Sequence, residues 1–228
     1  MINKRRTDMF NIALDGPGGA GKSTVAKAVA LELGFIYVDT GALYRAIGLY
    51  SLRKTIDTRD IPGVIKLLDE INVDFTHVDG EQRVMLNGED VSTEIRLPEV
   101  SMAASNVSAI PEVRAFLLDL QRKIASEKDC LMDGRDIGTV ILPNAQLKIF
   151  LTASAEVRAK RRYDELTEKG QKVDYDEILK DLNERDYQDA HRETAPLKQA
   201  DDAILVDTSD MTFNEVKATI IKLYEERK

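Results

Sequence analysis

A glycine-rich segment near the N-terminus constrains this chain more than any other feature. It consists of Gly16, Pro17, Gly18, Gly19, Ala20, Gly21, Lys22 and Ser23, followed by Thr24. The spacing matches G-x-x-x-x-G-K-[ST], a loop whose backbone N–H groups surround phosphate oxygens. In such loops the lysine contacts the β- and γ-phosphates and the final hydroxyl holds Mg²⁺. We therefore expect residues 16–24 to bind a nucleotide such as ATP.

The segments on either side of this loop are predicted to form the strand and the helix that a phosphate loop connects. An apolar run of strand length occupies 9–14. After the loop, Val25, Val29 and Leu33 fall on one face of a helix, and Gly34 is a typical helix stop. A strand, a glycine loop and a helix in this order place an anion at the helix N-terminus. A glycine-rich turn without a ligand would not need this context.

Short apolar runs alternate with helical segments along the rest of the chain. Further strands are predicted at 35–38, 130–132, 147–151 and 203–206. Strands that alternate with helices indicate an α/β fold, a parallel sheet with helices on both faces. Ligands of such sheets lie at the carboxyl ends of the strands. Aspartates follow four of the five predicted strands, at Asp15, Asp39, Asp133 and Asp207.

Two regions depart from this alternation. Residues 71–95 alternate around Asp79–Gly80, which predicts an antiparallel hairpin. Residues 154–192 are charged and helical, with Ser154 as a cap of a first helix and Gly170 at its end.

Helix boundaries are predicted elsewhere as well. Thr40 is expected to cap a helix that runs to about Arg53, and Thr212-x-x-Glu215 is a capping box. A helix that starts at Pro111 should bury one stripe, formed by Val113, Phe116, Leu117, Leu120 and Ile124.

Arginines are spaced for a second phosphate. Arg185 and Arg192 lie seven residues apart in a predicted helical segment, two turns along one face, and Arg158 and Arg162 lie four apart on another helix. Arginine keeps its charge and donates two parallel hydrogen bonds to a phosphate. The alternative is a solvated face with ion pairs along the helix. Beside a phosphate loop we favour the first interpretation, because phosphoryl transfer requires charge neutralisation.

Two further strand ends combine acidic and basic residues. Arg45 lies one turn into the helix after Asp39 and Thr40, so this helix start is a possible second anion site. Asp133 could be the acidic partner of Mg²⁺, directly or through water, or a turn residue only.

Composition excludes several classes of protein. The net charge of −8 over 228 residues makes a nucleic-acid polymer an improbable partner. No apolar run is long enough to span a membrane. Residues 1–8 resemble no secretory signal and are expected to form a disordered tail. Cys130 is the single cysteine, which excludes an internal disulfide and fits a cytoplasmic location. A monomer is the default expectation.

These motifs together resemble bacterial cytidylate kinases over nearly the whole chain, from about residue 10 to the end. Besides the loop, the resemblance rests on 39–45, 103–105, 111–114, 133–140, 184–186 and 192–197. The Asp-Gly-Arg-Asp segment at 133–136 and the Arg-x-x-Ala-Pro-Leu segment at 192–197 are specific, whereas the loop is shared by many nucleotide hydrolases.

The resemblance implies a P-loop kinase fold with a five-stranded parallel sheet, a monophosphate-binding insert and a helical lid. Residues 9–228 would form one kinase domain. Its core would comprise about 9–60, 104–153 and 195–228, its insert about 61–103 and its lid about 154–172. The implied reaction transfers the γ-phosphate of Mg-ATP to CMP or dCMP, giving CDP or dCDP and ADP.

The resemblance also implies roles for individual residues. The groups expected to act in catalysis are Lys22, Arg135, Arg158, Arg162, Arg185 and Arg192. The groups expected to bind the acceptor nucleotide are Thr40, Arg45, Ser105, Arg114, Arg135, Asp136, Arg185, Asp189 and Arg192. Ser23 and Asp133 would hold Mg²⁺.

Within this set Arg45, Arg135 and Arg192 would hold the CMP phosphate, and Arg185 and Asp189 would lie near the ribose. The chemistry of cytosine supports the base-reading roles: a carboxylate such as Asp136 accepts from its amino group. Arg114 and Ser105 can donate to the ring acceptors.

Two other functions are compatible with a phosphate loop. A GTP-binding switch would need an Asn-Lys-x-Asp segment after a late strand, and the only Asn-Lys pair is Asn3–Lys4, before the first strand. A P-loop kinase for another monophosphate or a small acid is the second alternative, but convergent arginines favour a phosphorylated acceptor.

Overall fold

The computed structural model describes residues 9–78 and 81–228. The tail predicted at 1–8 and the predicted Asp79–Gly80 turn lie outside the described residues. The strands are β1 (Asn11–Asp15), β2 (Ile36–Asp39), β3 (Val73–Val78), β4 (Glu81–Leu86), β5 (Glu89–Asp90), β6 (Cys130–Gly134), β7 (Leu147–Thr152) and β8 (Ile204–Asp207). The helices are α1 (Lys22–Leu33), α2 (Thr40–Arg53), α3 (Ile61–Leu67), α4 (Pro98–Ser108), α5 (Pro111–Glu127), α6 (Ala155–Glu168), α7 (Tyr175–His191) and α8 (Phe213–Glu225).

The chain divides into two compact units. The loop unit comprises the residues up to Tyr37 together with Arg122–His191 and Pro196–Lys228. The hairpin unit comprises Val38–Gln121 and Arg192–Ala195.

A five-stranded parallel sheet has the strand order β2-β6-β1-β7-β8. This confirms the predicted α/β fold and all five predicted strands. The register pairs Asp15 at the end of β1 with Gly134 at the end of β6 on one side, and with Phe150 of β7 on the other. Because the strands are parallel, the phosphate loop after β1 and the segment after β6 leave the sheet side by side.

The loop unit has its own apolar core between the sheet and helices α1 and α8. Phe10, just before β1, Leu14 of β1, Val29 of α1 and Ile220 of α8 are wholly buried in it. The ring of Phe10 also packs edge-on against Tyr224, with 5.0 Å between ring centroids. Apolar strands and amphipathic helices therefore fix the sheet, which in turn positions the loops at its carboxyl edge.

The hairpin unit is built on a second core. Helices α2 and α4 pack together, and a three-stranded antiparallel sheet in the order β3-β4-β5 contributes to the same cluster. Ile47, Val107 and Leu117 are wholly buried there. The antiparallel pairing of β3 with β4 confirms the predicted hairpin, whereas β5 was not predicted.

Most helix boundaries follow the predicted signals. Gly34 ends α1 in the left-handed conformation, Ser154 accepts a hydrogen bond from the N–H of Val157, and Thr212 and Glu215 form the capping box of α8. One cap was predicted wrongly. The cap of α2 is Asp39, whose Oδ1 accepts from Ala42 N, and Thr40 is the first helical residue. Two adjacent residues could cap, and the one with the extended backbone does so.

The buried stripe of α5 is narrower than predicted. Val113 and Leu117 are wholly buried, but Phe116 is 37% exposed. The buried residues Val113, Leu117, Gln121 and Ala125 recur every four positions, so the stripe follows this row and Phe116 lies at its edge.

No helix among residues 9–78 and 81–228 is long and apolar enough to cross a membrane.

Candidate active site

The phosphate loop joins β1 to α1 at the carboxyl edge of the parallel sheet. Helix α1 begins at Lys22, and Gly21 at its cap position provides no side-chain hydrogen bond to the first turn. The N–H groups of this turn are therefore directed to a ligand rather than to a capping side chain. Gly16 is required sterically, since a Cβ there would lie 1.9 Å from the carbonyl oxygen of Leu151 on β7.

Lys22 lies buried within the loop. Its Nζ donates to the carbonyl oxygens of Gly16 and Pro17, at 2.7 and 2.8 Å. Burial lowers the pKa of Lys22 to about 7, and the positive charge of Arg135 contributes in the same direction. Phosphate oxygens would reverse this effect, because a nearby negative charge favours the ammonium form.

Asp133, at the carboxyl end of β6, is buried and lies beside the start of α1. Its Oδ2 accepts from the hydroxyl of Ser23 at 2.8 Å, and its Oδ1 accepts from the hydroxyl of Tyr37 at 3.0 Å. The two groups predicted to hold a metal are therefore in direct contact. Tyr37 was not singled out from the sequence, because nothing in a strand pattern shows where a tyrosine hydroxyl is directed.

Arg135 and Arg185 both lie near the loop backbone. A Cβ built on Gly18 would lie 3.6 Å from Nη2 of Arg135 and 3.9 Å from Nη1 of Arg185. Nε of Arg135 donates to Asp189 at 2.8 Å. Burial and the neighbouring Arg135 lower the pKa of Arg185. Two guanidinium groups thus meet in a buried volume beside the loop, which is a strong anion site.

Arg158 of α6 is also directed at the loop. It is buried, and it donates from Nη1 to the carbonyl oxygen of Gly18 at 2.9 Å and from Nη2 to Asp186 at 2.6 Å. Arg162, one turn later, is paired with Glu165 on its own helix at 2.9 Å. The structure therefore brings Arg158 to the loop, while the contact of Arg162 is that of a solvated helix face.

Arg192 does not continue the helical face of Arg185, contrary to the prediction. Helix α7 ends at His191, and Arg192 lies in the following segment, where its Nε donates to the carbonyl oxygen of Ala195 at 2.6 Å. Ala195 has a φ of 49°, so the chain turns sharply there. The seven-residue spacing alone could not show that the helix ends between the two arginines.

Within the hairpin unit, the start of α2 carries Thr40 and Arg45. Thr40 is buried, and Nη1 of Arg45 donates to the carbonyl oxygen of Ile95 at 3.1 Å and to Oγ of Ser101 at 3.0 Å. These contacts fix the guanidinium of Arg45 near the first turn of a helix, where anions are stabilised.

Two of the proposed base-reading residues, Ser105 and Arg114, belong to the hairpin unit, and Asp136 belongs to the loop unit. Arg114 of α5 is buried, donates to the carbonyl oxygen of Ser108 at 3.1 Å, and lies over the ring of Tyr44 with 5.4 Å to its centroid. Ser105 is half-buried on α4. In the loop unit, Asp136 is 3% exposed, directly after Arg135.

Comparison with known proteins identifies the family. The family model described as Cytidylate kinase matches residues 12–226, nearly the whole chain. The chain belongs to the cytidylate kinase family. This confirms the resemblance seen in the sequence and makes the protein a member of a nucleoside monophosphate kinase family.

Relatives in the cytidylate kinase family align over almost their full length. A protein named Cytidylate kinase from Caldanaerobacter subterraneus is 53% identical over 214 residues, covering 94% of this chain and 92% of the relative. One of the same name from Lactobacillus johnsonii is 48% identical over 227 residues, covering 100% and 99%. An uncharacterised protein from Eubacterium ventriosum shares the fold, with a TM-score of 0.52 at 16% identity, covering 96% of this chain and 100% of that one.

Proposed function

We propose that this protein transfers the γ-phosphate of ATP to CMP or dCMP, yielding CDP or dCDP and ADP. The observation that carries the proposal is the meeting of Lys22, Arg135 and Arg185 at one phosphate loop in a chain of this family. A hydrolase or a switch needs only the loop. Additional buried guanidinium groups are appropriate where a second phosphate must approach the first.

The donor side is assigned to the loop unit. Residues 16–24 would hold the phosphates of ATP through backbone N–H groups, and Lys22 would exchange its bonds with the Gly16 and Pro17 carbonyls for phosphate oxygens. Arg158 already bonds the loop carbonyl of Gly18, so it would contribute charge at the same position.

The oxygen ligands near the loop fit Mg²⁺. Ser23 and Asp133 present two hard oxygens in contact, and no group of three potential acidic, histidine or cysteine ligands exists among the described residues. Mg²⁺ favours such sites, because it keeps several waters and binds substrate phosphates. When bound, the ion would neutralise charge on the phosphate oxygens. The chain's part is to hold the carboxylate of Asp133 through Ser23 and Tyr37.

The acceptor side is proposed to consist mainly of arginines. Arg45, Arg135 and Arg192 are the proposed ligands of the CMP phosphate, and Arg185 and Asp189 the proposed contacts of the ribose. Thr40, in the first turn of α2, is a further proposed contact of the acceptor nucleotide. The attacking group is itself an anionic phosphate oxygen, so the reaction requires charge neutralisation and alignment rather than a strong general base.

Cytosine would be read by one acceptor and two donors. Asp136 is the proposed acceptor of the amino group at position 4, while Arg114 and Ser105 are the proposed donors to N3 and O2. Uracil presents a carbonyl and an N–H at positions 4 and 3, which would leave buried groups unpaired. Sites of this kind discriminate strongly between ligands.

The remaining expectations complete the proposal. Residues 61–103 would act as the monophosphate-binding insert, and 154–172 as a lid whose closure excludes water from the transferred phosphate. A monomeric protein located in the cytoplasm is the expected form.

A substrate panel tests the function directly. ADP release would be measured with Mg-ATP and each of CMP, dCMP, UMP, AMP and GMP, together with a sample lacking acceptor. Strong turnover with CMP or dCMP alone is the expected result. Turnover with another monophosphate would overturn the roles of Ser105, Arg114 and Asp136, and ADP release that no acceptor stimulates would contradict a kinase.

A further inference from the structure

Asp15 is a buried carboxylate to which the mechanism above assigns no role. It is the last residue of β1, directly before Gly16 of the phosphate loop, and it is 4% exposed. Each of its oxygens accepts one hydrogen bond from a backbone N–H: Oδ1 from Ile137 and Oδ2 from Gly138, both at 2.7 Å. A buried aspartate with two short bonds to one distant segment is a strong structural constraint on that segment.

The segment bonded to Asp15 follows directly after Arg135 and Asp136. Residues Ile137–Ile141 form a single π-helical turn, and Asp136 occupies its cap position. An aspartate at a cap normally accepts from the N–H groups of the turn it precedes. Here the side chain of Asp136 makes no capping hydrogen bond. The first two N–H groups of the turn, those of Ile137 and Gly138, instead donate to Asp15 of the neighbouring strand.

The packing around these bonds leaves little freedom. A Cβ built on Gly138 would lie 3.3 Å from Oδ2 of Asp15 and 3.1 Å from Cδ of Lys148 on β7. The strand register also places Asp15 beside Gly134. The carboxylate of Asp15 is therefore enclosed between the end of β6 and the turn that follows it.

Burial and neighbouring groups have opposing effects on the pKa of Asp15. Burial raises the pKa of Asp15 to about 6, even though the N–H groups of Gly138 and Ile137 lower it. Asp136 acts in the raising direction and Lys22 in the lowering direction. The side chain of Lys148 packs against this turn through Cγ and Cδ, and its ammonium is paired with Asp202 at 2.8 Å. Around neutral pH the carboxylate is thus ionised and can accept both bonds.

We propose that Asp15 is a positioning residue for acceptor recognition: its two bonds hold the start of the Ile137–Ile141 turn and thereby position the preceding residue, Asp136, the proposed acceptor of the amino group of the base. The same bonds fix Arg135 and Asp136 relative to the strand that carries the phosphate loop. This inference rests on the proposed function for the identity of the acceptor, but the capping itself is a property of the loop unit.

The variant that tests the proposal is Asp15→Asn. The asparagine side chain has nearly the same size as that of Asp15 and keeps one acceptor oxygen. Its amide NH₂, however, would face a backbone N–H that now donates to the carboxylate. Asp207→Asn is the matched control, since Asp207 also ends a strand of the sheet and accepts from Ser209 N and Oγ. For each protein, KM and kcat would be measured for CMP, for UMP and for ATP, with the midpoint of thermal unfolding as a check of the fold.

The expected result for Asp15→Asn is a KM for CMP raised about tenfold or more. The ratio of kcat/KM for CMP to that for UMP should fall by a similar factor, while the KM for ATP changes less than threefold. The control should match the wild type in all of these. A folded Asp15→Asn protein with an unchanged CMP-to-UMP ratio would overturn the proposal.

A measurement on the wild type keeps the proposal testable if the variant does not fold. The amide resonances of Ile137 and Gly138 should titrate together near pH 6 in ligand-free protein, and the CMP-to-UMP ratio should decrease as the pH falls through the same range. The ratio cancels the ionisation of the nucleotide phosphates. A constant ratio between pH 5.5 and 7.5, despite titrating amides, would overturn the recognition role.

The two proposals fail in different ways. If the wild type accepts another monophosphate and not CMP, the proposed function is wrong. The positioning role of Asp15 is then tested by the ratio of kcat/KM values for two monophosphates that the wild type does accept.

Discussion

The site arginines of the loop unit gather beside the phosphate loop, whereas Arg45 and Arg114 of the hairpin unit lie on separate helices, α2 and α5. In the loop unit, Arg135 donates to Asp189 and Arg158 donates to Asp186, so carboxylates fix both guanidinium groups. In the hairpin unit, Arg45 donates to a backbone carbonyl and a serine hydroxyl, and Arg114 donates to a backbone carbonyl. Carboxylates help to keep several cations together in a buried volume, because each negative charge offsets part of the repulsion between the cations.

This difference fits the distribution of charge in the proposed reaction. The phosphates of ATP and of the acceptor must come together at the phosphate loop, and the loop unit assembles Lys22, Arg135, Arg158 and Arg185 there. Burial lowers the pKa values of Lys22 and Arg185, and the positive charge of Arg135 lowers both further. Acidic partners allow the cluster to exist before the nucleotide arrives.

The largest expected effect is that of Lys22→Ala. It should lower kcat/KM on the order of a thousandfold, about 4 kcal/mol of transition-state stabilisation, because an essential charge is removed. Since burial disfavours the charged lysine, the midpoint of thermal unfolding should stay the same or rise. Steady-state kinetics and thermal unfolding check both statements. Lys180→Ala, an exposed lysine of α7, is the control, and near-normal turnover in Lys22→Ala would contradict the loop assignment.

Arg45→Ala tests the other side of the comparison. The KM for CMP should rise about 10- to 100-fold, while the KM for ATP stays within about threefold, because a charge-assisted bond to one phosphate is lost. Arg53→Ala is the matched control on the same helix, where Arg53 pairs with Glu89 and Glu94 at the surface. Equal changes in both KM values would show that Arg45 supports the fold rather than the acceptor.

The titration of Lys22 gives a test of the charge balance in the loop unit. With a pKa of about 7 in the ligand-free protein, Lys22 is mostly neutral at pH 8. Bound phosphates raise this pKa, so ATP binding at pH 8 should take up about one proton, and affinity should decrease as the pH rises above 7. Calorimetry in buffers of different ionisation enthalpy measures the uptake. The same uptake in Lys22→Met would assign the proton to another group.

The smallest expected effect is that of Tyr37→Phe. Asp133 would lose one of its two hydroxyl donors, so the Mg²⁺ concentration for half-maximal activity should rise about two- to fivefold with little change in kcat at saturation. Mn²⁺ binding in the presence of ADP, followed by electron paramagnetic resonance, should weaken in parallel. Tyr50→Phe removes a similar hydroxyl–carboxylate bond, to Glu70, and serves as the control. An unchanged Mg²⁺ requirement would show that the Tyr37 hydroxyl does not support metal binding.

Local patterns predicted much of the fold. The five strands of the parallel sheet, the hairpin, the glycine stop of α1 and the capping box of α8 all depend on residues close together in sequence, so they could be found without a structure. The wrong predictions also concerned local features, namely one helix cap and one helix end. Asp39 and Thr40 compete for one cap, and the end of α7 falls between two arginines whose spacing fits a continuous helix.

The sequence by itself determined the ligand class, since eight consecutive residues set the geometry of a phosphate loop, and it determined the family through motifs in a fixed order. Only the tertiary structure decided which side chains meet: Tyr37 with Asp133, Arg158 with Gly18, and Asp15 with the turn after Asp136. These contacts join residues that are between 96 and 140 positions apart in the chain. They depend on strand order and register, which a local pattern does not contain.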